Sequence, residues 1–138
     1  MADDKATKFS SGFCRRLLTL VNKEFGNTLT SLLSMAGADY AGELNGKYQG
    51  KDLDFKLNKF VEVMKSYDVN VKVSRYDKNG SEVVELVCEN CVFDSLGLED
   101  VNFCSYSESF LRKYAEAKRI ERIKREGGNS GCTYIITI

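Results

Sequence analysis

Around Asp68 the apolar residues of this chain change their repeat, and that change limits the possible folds more than any other feature of the sequence. Upstream, three sets recur at helical spacing: Phe13, Leu17, Leu18, Val21 and Phe25; then Leu29, Leu32, Leu33, Ala36 and Tyr40; then Leu53, Leu57, Phe60, Val61 and Met64. Downstream, Val69, Val71 and Val73 alternate with Asn70, Lys72 and Ser74, the period of a half-buried strand. A helical block followed by a strand block predicts an α+β domain, with helices packed on an antiparallel sheet.

Local signals divide these blocks into elements. Ser10 or Ser11 caps the first helix and Gly26-Asn27 ends it, while Gly37, Ala38 and Ala41 of the second leave small surfaces that another backbone can approach. Gly46 and Gly50 bound the next loop, and Asp52 caps a third helix. Asn79-Gly80 is a hairpin signal, leading into a strand from Glu82 to Cys88. Ser105 or Ser107 starts a fourth helix with Phe110, Leu111, Tyr114 and Ala115, ending near Lys118. Ile120 to Glu126 and Cys132 to Ile138 read as the last two strands, with Gly127-Gly128-Asn129-Ser130-Gly131 as the turn between them. The order is three helices, a hairpin, a helix and a second hairpin. Residues 1–8 are polar and read as a disordered tail before a single domain over 9–138.

A chain of 138 residues can bury one core without disulfides to hold it. Its 20 basic and 20 acidic residues balance, which removes the attraction that nucleic-acid binding relies on. No apolar run approaches the roughly 18 to 20 residues that span a bilayer, so no membrane span is expected. Proline is absent, so turns fall to Gly, Asn and Asp.

Four of the five cysteines lie in the C-terminal half: Cys88 and Cys91 as C-x2-C, then Cys104 after twelve residues and Cys132 after twenty-seven, in a chain without histidine. Structural zinc held by three or four of them is one reading, and unligated thiols packing like small hydrophobes is another. A disulfide framework is disfavoured by the odd fifth residue, Cys14, and by the lack of an apolar leader in Met1 to Lys8, which also points to a cytoplasmic location. Four thiolates leave no open coordination position, so such a zinc is structural rather than catalytic. Cys14 itself lies outside the site and is expected within the buried stripe of the first helix.

Several segments together resemble one family. Leu32-Leu33-Ser34-Met35-Ala36-Gly37-Ala38-Asp39-Tyr40-Ala41-Gly42 looks like an apolar helix ending in A/G-x-x-x-G, and Asn90-Cys91-Val92-Phe93 resembles an N-C-P-F strand end with valine for proline. Phe103-Cys104 before a helix and the closing Gly131-Cys132-Thr133-Tyr134-Ile135-Ile136 complete the order. The chain resembles the 4-vinyl reductase domain, a predicted hydrocarbon-binding family related in fold to subunits of the TRAPP transport complex. In aromatic-sensing members a zinc is held by a cysteine before the helix, a glutamate on the next strand and cysteines of the last hairpin. Cys104, Glu121 and Cys132 fall on those positions, and Lys124 stands where a further cysteine would be. The resemblance leaves Cys91 or Cys88 to complete that shell, and together with the thiol spacing the candidate metal ligands are Cys88, Cys91, Cys104 and Cys132, with Glu121 as the alternative fourth ligand.

It also implies a small apolar or aromatic ligand held between helices and sheet. Phe55, Phe60, Met64, Tyr67, Phe110 and Tyr114 are candidates to line such a cavity, although aromatics at helical spacing also serve simply as core. Tyr40, Tyr67 and Tyr114 stand out because a buried hydroxyl needs a polar partner. The alternative is a protein-interaction module without ligand, suggested by Ala36, Gly37, Ala41 and Gly42, and a homodimer through the first two helices fits either reading. An enzyme is the weakest expectation. No acid–base constellation stands out, and Gly127-Gly128 with Gly131 does not open a helix as a dinucleotide fingerprint must. The basic run from Lys118 to Arg125 reads as a solvated face, and Glu121 within it reads also as an ordinary solvent-facing acid between Arg119, Arg122 and Lys124.

Overall fold

The computed structural model describes residues 2–91, 93, 98, 101–124 and 131–138. Three helices and four strands follow one another: α1 (Ala2–Lys47), α2 (Leu53–Ser66), β1 (Val71–Lys78), β2 (Ser81–Cys88), α3 (Cys104–Tyr114), β3 (Arg119–Lys124) and β4 (Cys132–Thr137). The strands form one antiparallel sheet in the order β1-β2-β4-β3. An α+β domain is thus present, but its helical block holds two helices rather than three.

The first two expected helices run together through a kink. Gly26-Asn27 does not end the helix; only Phe25 leaves the helical region, at φ −140° and ψ 48°, next to a glycine whose backbone bends at little cost. Thr30 Oγ1 donates to the Gly26 carbonyl oxygen at 3.2 Å, giving that group a partner just past the bend. The segment expected as a tail is helical from Ala2 onward.

Which faces are buried also departs from the periodic reading. Phe13, Leu17 and Phe25 are exposed, and so is Cys14, because no described element covers that side of the N-terminal arm. Leu18 and Val21 alone of that stripe turn toward a small second core of Leu29, Val101 and Phe103. In the following arm the buried line is Leu29, Gly37 and Ala41, while Leu32 and Tyr40 are largely exposed.

Gly37 explains the rotation. A Cβ there would collide with the Tyr106 carbonyl oxygen and stand 3.1 Å from the Phe110 nitrogen, so α1 and α3 cross with their backbones in contact. Side chains lace the same seam. Ser109 Oγ donates to the Ser34 carbonyl oxygen at 2.7 Å, and Asn45 Nδ2 donates to that of Lys113 at 3.0 Å. Three of the four small residues that suggested a partner helix pack within the domain: Gly37 meets α3, Ala41 is fully buried and Gly42 lies against the Lys113 side chain, while Ala36 is exposed.

The remaining elements form where local chemistry predicts them. Asp52 caps α2 by accepting from the Phe55 amide at 2.9 Å, and Leu57 is the buried centre of its apolar stripe. Asn79 and Gly80 both have positive φ, 54° and 80°, and join Lys78 to its cross-strand neighbour Ser81. Helix α3 starts at Cys104 with no side-chain cap, slightly ahead of the expected serines. The expected Gly127–Gly131 turn falls largely outside the described residues.

Because the α1–α3 contact is made by backbone, Gly37→Ala is expected to destabilise the protein by about 1 to 3 kcal/mol through overpacking. Gly46, with nothing within 4 Å of its Cβ position, is the control: Gly46→Ala should be neutral or stabilising by up to about 1 kcal/mol. Urea denaturation of both variants checks the pair, and equal effects would contradict the crossing.

Candidate functional site

The crossing of α1 and α3 leaves a gap between the helices and the end of the sheet. A cavity of about 560 Å³ occupies it, bounded by α1, α2, α3, the end of β2 and the start of β4. Tyr40, Phe60, Met64, Tyr67, Phe110 and Tyr114, nominated from sequence as ligand contacts, all line it. Phe55 does not; it packs edge-on against Tyr48 with ring centres 5.4 Å apart.

Phe110 organises the wall. Its ring stacks on Tyr40 at 5.4 Å, on Tyr114 at 5.1 Å and on Phe60 at 6.2 Å, all within the range at which aromatic pairs attract. The four rings come from α1, α2 and α3, so the wall exists only once these helices are docked. At another edge Phe93 stacks on Phe103 at 4.6 Å and meets Tyr106 edge-on at 6.0 Å.

The tyrosine hydroxyls divide into two groups. Tyr114 donates to the Lys56 carbonyl oxygen at 2.6 Å in a buried bond, so its hydroxyl fastens α3 to α2 and is not open to a ligand. Burial raises the Tyr114 pKa, and Tyr134 behaves likewise, with burial and then Cys132 raising it against an opposing Ser107 hydrogen bond. Tyr40 and Tyr67 are more than two-fifths exposed, at 41% and 60%. They stand near Tyr106, whose pKa is raised by burial first and then by these two neighbours. The half-buried Tyr106 hydroxyl therefore has two more exposed tyrosines beside it.

The cysteines meet the same cavity. Cys88, Cys91 and Cys132 are among its lining residues, and Cys88 and Cys132 are direct partners across β2 and β4. Burial, followed by the neighbouring Cys132 and Cys91, pushes the Cys88 thiol up to about 11. Cys104, at the start of α3, is raised chiefly by burial, with Arg122 opposing and Cys132 and Cys91 adding to the rise. Cys88 on β2 and Cys104 on α3 thus each feel Cys132 on β4 and Cys91 in the segment after β2. Their donor chemistry, sulfur throughout, suits Zn²⁺. Among the described residues, however, no three metal-binding side chains stand close enough together to hold an ion as they are placed.

The strand register separates the two readings of Glu121 and changes that of Arg122. Glu121 pairs with Ile135 on β4, whereas Cys132 and Tyr134 pair with Lys124 and Arg122. Since successive strand residues point to opposite faces, Glu121 lies on the exposed side of β3, away from the thiols. Arg122 is the residue that turns inward, out of a basic run expected to be solvated. Its Nη1 donates to Cys132 Sγ at 3.7 Å and its Nε to Glu108 Oε1 at 3.1 Å. Burial lowers the Arg122 pKa, but the bonds to Cys132 and Glu108 and the nearby Cys104 outweigh it, and the net shift is upward. The strand alternation that carries Ile120 inward also carries Arg122, and this was the available signal.

No helix among the described residues is long and apolar enough to cross a membrane. No protein-family model matches the chain, and no curated protein matches its sequence.

Proposed function

We propose that this chain is a binding domain for a small apolar or aromatic molecule, stiffened by a structural zinc centre at one wall of its cavity. The observation that carries the reading is the aromatic stack on Phe110, which borders a cavity large enough for a ligand of drug size. Binding comes mainly from buried apolar area, at roughly 25 cal/mol per Å². Tyr40 and Tyr67 supply hydroxyls at the open side to orient the guest. The reading is of a cytoplasmic carrier or sensor rather than a catalyst, and kinship with the 4-vinyl reductase family belongs to the same proposal. A thermal-shift panel of aromatic and isoprenoid compounds tests it. At least one compound should raise the melting temperature of the native protein and lose that effect in Phe110→Ala, whose fold is checked by circular dichroism; no shift with any compound would refute a ligand-binding role.

The zinc half of the proposal joins Cys88, Cys91, Cys104 and Cys132. Side-chain rotations would be needed to gather the thiols. The ion would then tie the end of β2 and the start of α3 to β4, so that its binding energy adds to folding. Protein purified without chelator is expected to contain about one zinc per chain by elemental analysis. Cys104→Ser and Cys132→Ser should each lose the metal and several kcal/mol of stability, whereas Cys14→Ala should retain it. A metal-free wild type, or equal loss in all three variants, would sink the assignment.

A second reading, self-association through α1, rests on its own observation. Phe9, Phe13, Leu17 and Leu20 follow one side of the N-terminal arm and are all about half exposed or more, with Phe9 at 74%. Covering a phenylalanine or leucine fully contributes about 1.5 to 3 kcal/mol, and the symmetric occupant of such a stripe is the same stripe of a second copy. Analytical ultracentrifugation should find a dimer in the wild type and a folded monomer in Phe13→Asp/Leu17→Asp. A monomeric wild type at micromolar concentration would remove this reading.

A further inference from the structure

The cavity is not uniform in charge. Its deepest members are Tyr114, Leu111, Cys88, Tyr134 and Phe110, each no more than 8% exposed. The charged residues among the described lining are Lys47 and Lys59, and neither Asp nor Glu occurs there. Both lysines are accessible: Lys47 lies at the exposed end of α1, and the Lys59 side chain is 40% exposed. They flank one structure, the edge-to-face pair of Tyr48 and Phe55. Lys47 Nζ lies 5.8 Å from the Tyr48 ring centre and Lys59 Nζ lies 5.6 Å from that of Phe55. Lys51 Nζ lies 5.2 Å from the Phe55 ring centre as well, but of the three lysines around this pair only Lys47 and Lys59 border the cavity, as does Tyr48.

We propose that the natural ligand is an amphipathic anion, a single apolar body bearing a carboxylate or similar acidic head, bound with its body against the Phe110 stack and its head between Lys47 and Lys59. This rests on the ligand-binding reading above and adds the head group to it. A neutral hydrocarbon gains nothing from the two cations, and a cationic guest is repelled by them. An anionic head at a solvated mouth meets both without the desolvation that a buried charge suffers. The exposed contact between Lys59 Nζ and Glu62 Oε2, 3.4 Å, is weak enough to exchange, and Lys47 has no carboxylate partner among the described residues. Asn90 and the hydroxyl of Tyr67 add neutral donors to the lining.

Matched acid and alcohol pairs test the head group separately from the body. Dodecanoate against dodecanol probes an aliphatic body, and 2-naphthoate against 2-naphthalenemethanol an aromatic one, each titrated calorimetrically into the full chain at low and moderate salt. In at least one pair the acid should bind about tenfold more tightly than the alcohol, the gain of two partly exposed ion pairs. The stronger pair identifies the body. That preference should shrink as salt rises. It should fall to within about twofold in Lys47→Met/Lys59→Met and persist in Lys47→Arg/Lys59→Arg. Acid and alcohol binding equally would overturn the anionic head and leave the cavity reading intact. A preference that survives in the methionine variant would overturn the lysine assignment, and binding of no probe at all would overturn both readings.

Discussion

The crossing of α1 over α3 at Gly37 is the contact on which the rest of this molecule depends. At that point the α3 backbone stands so near to α1 that a single methyl group would not fit between them. Interhelical distances are normally set by the side chains at the contact, so the absence of one lets α3 seat deeply. Helix α3 carries Phe110 and Tyr114 for the cavity wall, Cys104 for the thiol group and Glu108 for the arginine pair. A shift of that helix would disturb all of these together.

Tyr114 extends the constraint to α2. Its buried hydroxyl meets the Lys56 carbonyl oxygen, and the Lys56 ammonium lies 5.1 Å from the centre of its ring. Burial lowers the Lys56 pKa, with Glu116 opposing, while the long stem of the side chain covers apolar surface. The three helices are therefore linked by specific polar contacts as well as by apolar area. The cavity remains between them because the aromatic rings pack against one another and leave the space in front unfilled. The sheet contributes its end to the same region, where the Cys88–Cys132 pair meets Arg122.

Much of this was legible in the sequence where the signal is local. The Asn79-Gly80 turn, the Asp52 cap, the paired strands and the apolar stripe of α2 follow from turn chemistry and periodicity, and the structure has them. The six aromatic and methionine positions that share the cavity were also nominated, because large apolar residues on inward faces surround whatever space remains. The N-terminal arm departs from its periodic pattern. Phe13 and Leu17 have helical spacing, but periodicity identifies an apolar face without saying whether anything lies against it. Arg122 turns inward out of a run that reads as solvated for a related reason, since a one-residue difference in a strand reverses the face and register depends on pairing with β4.

The alternation of helix and strand, the hairpin turn and the stock of thiols and aromatic rings follow from the order of residues alone, because the elements depend on interactions within a few residues. Only the tertiary structure decided that the helix runs on through Phe25, that Gly37 meets α3 within the same chain and that Arg122 rather than Glu121 faces the cysteines. These outcomes depend on which surfaces meet across tens of residues, and the chain carries no local record of that choice. The gathering of three thiols, four stacked rings and two lysines around one cavity is of the same kind, since those residues come from separate parts of the chain and become neighbours only when helices and sheet pack.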